Sequence, residues 1–517
     1  MQIITKGLDK YEKKNVKINN KEYTLHLIPE LIDEDLNIYE GFIFIENASR
    51  EEVSYFKSRY KPLSGYTARL GFIVYDNSML IKDFRRDKHI IKNLNRINQT
   101  FLNKLKEVLD KPNEDNFNKL FDRSDIIDEF YQLYRKARDY LLDNIKGITD
   151  IEKKEEFVDN LMMQMMILWY LQERGFFNND KNYFVNKFKE LRQKRFDIKD
   201  YYGFLRYLFE KISRSEDKLY QDDVVGKVVV IGPAIFLNGE FDGNITIPDR
   251  CFYKDDMTYH LINTPPKKVC VDVPLLNLFE SREWTEGNVD DYVLGAIYEK
   301  LITEFERKKL GAYYTPEEIT SYIAKNTIEP YLIDRVNEYF NKDFKSIDEL
   351  INDADKDILF YLFEQLRDIK ILDPAVGSAH FLASAIDVLV NIYSKIVDRA
   401  RELEIKEGFK IISSDDKGNI KQIELLDIKD GDQFNLYVKF FIILARNIYG
   451  VDINPSAIKV AKARLFITLA KHFDINKAFI RFPNVHFNLR VGNSLIGYTE
   501  LGEKKSTTLL EFIKDDL

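Results

Sequence analysis

Three short stretches of this chain set small, acidic or amide residues at the ends of apolar runs. In "ILDPAVGSAHF", Ile371 to Phe381, an apolar run stops at Asp373-Pro374 and turns through Ala375, Gly377, Ser378 and Ala379 into a helical pattern. Small residues at a strand end let backbone N–H groups approach a ligand, and the helix that follows favours a negative or strongly polar group. In "NIYGVDINPSAIKVAKARLF" the next apolar run ends in Asp452, followed by Ile453, Asn454-Pro455 and the pattern of an amphipathic helix through Arg464. One carboxylate at a strand tip can accept hydrogen bonds from both hydroxyls of a ribose. In "VHFNLRVGNSLIG" a third run ends at Gly492-Asn493-Ser494-Leu495, where an amide can read an adenine edge. Each stretch alone has a plainer reading: a tight strand-to-helix turn, an aspartate N-cap, an ordinary strand-ending turn. In sequence they describe a nucleoside-containing ligand lying across three strand ends. The first turn lacks Gly-x-Gly-x-x-Gly spacing, which argues against a dinucleotide used for redox chemistry.

The elements that must position these residues are legible around them. Ahead of the first stretch, "DDYVLGAIYEKLITEFERKKLGAYYTPEEITSYIAKNTIEPYL" reads as helix, compact turn and a second helix starting at Thr315, with Pro316 in its first turn. From Asp125 to Tyr207 the pattern is helical, and "EFVDNLMMQMMILWYLQERGFF" is apolar on every side before Gly175 stops it. Its four methionines and Trp169 are expected to fill core rather than line a pocket. From Val224 the chain is rich in β-branched residues, with a hairpin signal at Asn238-Gly239. The first hundred or so residues carry short apolar runs broken by turns such as Tyr75-Asp76-Asn77, the pattern of a small α/β unit.

With 517 residues the chain should form two to four domains. The expected division is a small α/β domain over 1–115, a helical domain over 116–215, a β-containing connector over 216–284, and helices plus a ligand-binding α/β domain over 285–517. Asp452 follows Asp373 by 79 residues, too far for one crossover helix, so an insertion is expected at about 400–440. A net charge of −8 argues against coating nucleic acid nonspecifically while leaving local DNA contacts open. Cys251 and Cys270 are the two cysteines, and the N-terminus lacks the apolar core of a signal peptide. No run of eighteen uncharged apolar residues is present. These features lead us to expect a cytoplasmic protein with no membrane partner.

Gly311-Ala312-Tyr313-Tyr314-Thr315-Pro316, the Asp373–Phe381 turn, the Asp452 strand end and the Gly492–Leu495 segment, in that order, resemble the gamma-class DNA adenine N6-methyltransferases of restriction-modification systems. The likeness is best to long type IIG enzymes and runs from about Asp125 to Gly497, including "WYLQERGFFNNDKNYF", "FLNGEF" and "LGAIYEKL". It implies S-adenosyl-L-methionine as cofactor and double-stranded DNA as partner. Tyr314, Thr315, Pro316, Asp373, Pro374, Ala375, Gly377, Ser378 and Phe381 would gather at the cofactor's methionine end, Asp452 and Ile453 at its ribose, and Asn493, Ser494 and Leu495 at its adenine. Ala379 departs from the family, which usually has a third glycine there.

The family's (Asp/Asn/Ser)-Pro-Pro-(Tyr/Phe) segment, which holds a flipped base for methyl transfer, is missing. The nearest string, "INTPPKK", has Thr264 and Lys267 in the wrong places and precedes the fold. No catalytic residue is assigned. The implied fold class is a multidomain α/β protein with a helical middle and an incomplete Rossmann-like methyltransferase domain holding strands 1–3 only. In the family's strand order strand 1 pairs with strand 4, so an exposed apolar edge and completion by a second polypeptide, or loss by truncation, are expected. The competing expectation is a noncatalytic regulatory or interaction subunit of a DNA defence system. "LEIK" at Leu403 and "DIEKK" at Asp150 are not on apolar strands after a suitable acid, and the histidines lack zinc-ligand spacing, so no metal ligands are assigned.

Overall fold

The structure is a computed structural model. It describes residues 2–18, 21–33, 38–58, 66–85, 88–95, 97, 99–193, 198–214, 219–231, 245–263, 272–284, 288–290, 292–297, 300, 315, 317–414, 420–473 and 488–495. The Asn238-Gly239 turn, Tyr314, Pro316 and the Pro265-Pro266 loop lie outside the described residues.

The short alternating runs of the first hundred residues form one mixed sheet. Its strands are β1 (Glu12–Ile18), β2 (Lys21–Asp33), β3 (Ile38–Ile45), β4 (Tyr66–Tyr75), β5 (Ser78–Asp83) and β6 (Lys88–Asn93), ordered as in sequence. All neighbours are antiparallel except β3 and β4. Asp76, at φ +47°, makes the tight turn between β4 and β5 that its residue type favours. Helices α1 (Gln2–Leu8), α3 (Gln99–Asp110) and α4 (Glu114–Phe121) cover one face, and α2 (Arg50–Ser58) packs on the other. A parallel β3–β4 pair cannot close through a hairpin, and α2 supplies part of the crossover.

The helical middle comprises α5 (Ser124–Asn144), α6 (Ile151–Gln172), α7 (Tyr183–Gln193) and α8 (Tyr201–Arg214). The four methionines of α6 and Trp169 are buried in the largest core, and Gly175 beyond its end has φ +82°. A short hairpin, β7 (Leu219–Asp222) with β8 (Gly226–Val229), and helices α9 (Met257–Asn263) and α10 (Leu275–Glu280) follow.

Next come α11 (Glu317–Phe340), α12 (Ile347–Asp353) and α13 (Lys356–Asp368), leading to β9 (Ile371–Asp373) and α14 (His380–Glu402). After α14 a separate antiparallel hairpin, β10 (Lys410–Ser414) with β11 (Ile420–Glu424), and α15 (Gly431–Phe440) intervene before β12 (Ile448–Asp452). Helix α16 (Pro455–Ala470) and β13 (Leu489–Val491) complete the described chain. Strands β9, β12 and β13 form a parallel sheet in the order β13-β12-β9. Helix α16 differs from the amphipathic helix expected, because nearly every residue from Ala457 to Ala470 is buried. Apart from Lys459 and Lys462 it is packed on every side from Ala457 on, lying between α6, α15 and the sheet. Among the described residues α14 alone is long and apolar enough to cross a bilayer, and 61% of that apolar stretch is buried inside the protein.

Candidate functional site

Parallel strands point their carboxyl ends the same way, so the three stretches singled out by their residues meet along one rim. Gly450 pairs with Asp373 on one side and with Leu489 on the other, which sets the tips of β9, β12 and β13 side by side. Buried Asn447 fixes the opposite end of β12: its amide donates to Leu366 O (2.9 Å) and Ile369 O (2.8 Å) at the end of α13. No sequence signal marked this residue.

The turn after β9 is built by residues that accept unusual backbone. Gly377 has φ +52° and Ala379 has φ +65°, the left-handed region that ordinary side chains avoid. The two positions face different ways. Among the described residues a Cβ added to Gly377 would meet nothing within 4 Å, so this backbone lies open to them, whereas Ala379 is fully buried. Relief of left-handed strain by glycine at position 379 is worth about 1–2 kcal/mol. The lost methyl burial and added chain freedom cost roughly the same, which explains why alanine is tolerated. Its methyl sits in the core and leaves the backbone approach clear.

Asp452 joins two of the three strand ends. Gly377 N–H donates to its Oδ2 (2.9 Å) and Asn454 N–H to its Oδ1 (2.9 Å). The helix cap is not Asp452 but Asn454, whose side chain accepts from Ser456 N–H, with Pro455 following in the first turn. That assignment frees the Asp452 carboxylate to face the glycine turn, and the Asn-Pro pair was the signal for it. Ser494 joins the third strand end to the first, its hydroxyl donating to Pro374 O (2.8 Å). Asn493 Oδ1 accepts from Leu495 N–H (3.0 Å), which holds an exposed amide at the rim.

Asp373 is only partly satisfied among the described residues: its Oδ1 accepts from Ala375 N–H (3.0 Å), while its buried Oδ2 finds no hydrogen-bond partner there. Burial, reinforced by the neighbouring Asp452 charge, pushes its carboxyl above the usual range, against the lowering effect of the Ala375 bond. A buried, unpartnered carboxylate oxygen beside open backbone fits a cationic or hydrogen-bonding ligand group. Ile453 (57% exposed) and Leu495 (94% exposed) present apolar surface at the same rim, the kind of flank a purine face needs.

Other expected residues fall less directly on the rim. Pro374 and Ala375 are exposed in the turn, whereas Phe381 is half-buried in the first turn of α14. Ser378 is buried, and its hydroxyl is bonded to His380 Nδ1 (2.9 Å), so its side chain serves the turn's interior. Thr315 is half-buried ahead of α11, which is pinned to α14 by Thr320 and Ser384, hydroxyl to hydroxyl at 2.8 Å.

No family profile matches the chain. A curated protein of Methanocaldococcus jannaschii, named "Putative type II restriction enzyme and methyltransferase RM.MjaORFECS2P", is 30% identical over 368 residues. The match takes in 67% of this chain, which spans about 28% of that protein's length. The chain is thus related to restriction-modification proteins. A solved structure titled "cryoEM structure DrdV-DNA complex" is 12% identical, covering 91% of this chain and 36% of that one. Its TM-score of 0.26 is too low to show a shared fold.

Proposed function

We propose that residues 371–495 carry the S-adenosylmethionine-binding portion of a DNA adenine N6-methyltransferase within a restriction-modification system. The observation that carries this reading is the convergence of the glycine turn, Asp452 and the Asn493 loop on one rim, with Asp452 tied to Gly377 N–H. The kinship to a protein named for both restriction and methyl transfer adds to it.

Asp373 and the open Gly377 backbone would hold the amino-acid end of the cofactor, with Thr315, Pro374, Ala375, Ser378 and Phe381 supporting that end from the turn, α11 and α14. Asp452 would accept the ribose hydroxyls through the lone pairs its two backbone bonds leave, with Ile453 against the sugar and base. Asn493 would meet the adenine edge, with Ser494 fixing its loop and Leu495 covering a ring face. When bound, the cofactor supplies an electrophilic methyl group. What this portion contributes is orientation of that group and exclusion of water from one side.

Beyond the rim, β9 pairs only with β12 among the described residues, and Leu372 on it is 59% exposed. A further parallel strand, from a longer form of this polypeptide or from a second one, would complete the sheet. That added part would bring the base-holding segment and recognition of double-stranded DNA. The protein would act in a reducing cytoplasm, consistent with Cys251 being a free thiol.

Calorimetric titration of the full chain with S-adenosylmethionine tests the reading. Saturable binding should fall roughly tenfold or more in Asn493→Ala, which removes an exposed amide and leaves the fold alone. Binding is expected to fall further in Asp452→Asn. Failure of the wild-type chain to bind, with or without the complementing strands, would favour a noncatalytic interaction subunit.

A further inference from the structure

The glycine turn is joined to the N-terminal sheet by side-chain contacts and one short stretch of backbone, Asn288 to Asp290. From the turn, Ser378 Oγ meets His380 Nδ1 at 2.9 Å. The His380 ring packs edge-on to Tyr292, with centroids 5.8 Å apart at 77°. Over Tyr292, at 5.2 Å from its centroid, lies the Arg123 guanidinium, which stands at the start of α5. Arg123 Nη1 donates to both oxygens of Asp290, at 3.1 and 2.8 Å. Asp290, only 4% exposed, also accepts from Val293 N–H (3.2 Å) and so fixes the start of the helical residues that include Tyr292. Two positions earlier, Asn288 donates to Ile91 O (2.9 Å) and accepts from Lys92, both residues of β6.

Glu317, the first residue of α11, lies within electrostatic range of Lys88 of β6, Arg123, Asp290 and Asp387 of α14. Asn288, Asp290 and Tyr292 are therefore a hub, met from one side by the last strand of the N-terminal sheet and from the other by the helix that the glycine turn opens. Its contacts are directional and buried, so they hold in one seating of the two parts and not in neighbouring ones.

We infer that Arg123, Tyr292 and His380 are positioning residues for the Gly377–Ser378 turn, through which ligand binding and the seating of β6 on Asn288 favour each other. The inference rests on the nucleoside-ligand reading above. Its thermodynamic form is reciprocal: whatever the seated sheet adds to ligand affinity, the ligand adds to the seating.

Hydrogen exchange and calorimetry on the full chain, with S-adenosylmethionine as the probe, test it. In the wild-type chain the ligand should slow amide exchange both at residues 376–380 and in β6. Tyr292→Ala should weaken binding by roughly two- to thirtyfold and abolish the slowing in β6 while keeping that at the turn. Tyr292→Phe, which retains the ring that both Arg123 and His380 touch, should restore both effects. A purely structural role for Tyr292 would not uncouple the two exchange signals. Should Tyr292→Ala fail to fold, Arg123→Lys, which breaks the paired bonds to Asp290 but keeps the charge, should shift both readouts the same way. Ligand binding with unchanged exchange in β6, or equal affinity in wild type and variant, overturns the coupling and leaves the nucleotide site standing. No binding by the wild-type chain overturns both.

Discussion

Asp373 serves the ligand at the expense of the free protein. Its carboxyl is raised in the folded chain by burial and by the nearby Asp452 charge. Stability from a raised carboxyl is fully present below the unfolded value, about 3.9, and is lost as pH rises through the folded value. At neutral pH the ionised group thus weighs against folding. Asp373→Asn keeps an oxygen for Ala375 N–H and removes the charge, so its melting temperature should exceed wild type at pH 7. The gain should vanish on acidification, where the wild-type carboxyl is protonated. Affinity for S-adenosylmethionine should drop roughly ten- to hundredfold in the same variant, and wild-type affinity should fall with acidification through the raised titration. Thermal melts at pH 7 and pH 4 beside a calorimetric titration check all three, and a variant no more stable at pH 7 would refute the argument. Gly377→Ala separates function from fold in another way. Its methyl meets no atom of the described residues, so it adds about 1–2 kcal/mol of left-handed strain and projects into the proposed ligand space. Binding should be lost while the chain stays folded.

At the scale of elements, turn chemistry was the most legible part of the sequence. Asp76-Asn77 between β4 and β5, Gly175 beyond α6 and Asn454-Pro455 opening α16 lie at positions dictated by backbone conformation, which residue type reports directly. What could not be read was set by packing. Helix α16 carries Lys459 and Lys462 and reads as amphipathic, yet tertiary contacts bury most of it. The run from Val485 yields only the strand Leu489–Val491 among the described residues, with Leu489 buried and Val491 53% exposed. The side-by-side order of the three ligand-bearing strands was reachable only through family resemblance, since nothing local in sequence encodes which strands pair. The open side of β9 makes its own prediction. Leu372 lies on an edge that is unpaired among the described residues, and such an apolar edge promotes strand-to-strand association. Leu372→Lys should lower self-association in sedimentation measurements and change stability by no more than about 0.5 kcal/mol. Unchanged association would show that this edge is already covered.

Across the whole molecule the apolar cores are discontinuous. Residues from Ile4 to Leu120 pack into two clusters, one on each face of the N-terminal sheet, and a third cluster runs from Ile127 to Leu489. Within the first unit, buried Arg69 lies among Glu40, Asp83 and Glu114 and over the Phe117 ring, tying the sheet to α4 with a guanidinium at the focus of three carboxylates. Between the units the seam is polar, Asn288 bonding Ile91 O and Lys92 of β6, and Arg123 with Asp290 braces Asn288 from within the second unit. Directional polar contacts left half-made are costly, whereas separate apolar cores can melt separately. Calorimetry of the full chain should therefore show two thermal transitions, which Asp290→Asn should move further apart by weakening the seam. Lys92 gives the pH dependence. Burial lowers its ammonium to about 8, partly opposed by Glu283. The charged form is thus disfavoured in the folded protein, and that cost fades as pH rises from about 8 toward the unfolded value near 10.4. Relative to Lys92→Met, which has no such group to discharge, the N-terminal transition of the wild-type chain should gain stability between pH 8 and pH 10. A single transition unaffected by Asp290→Asn would mean that the seam, despite its polarity, binds the two units into one cooperative body.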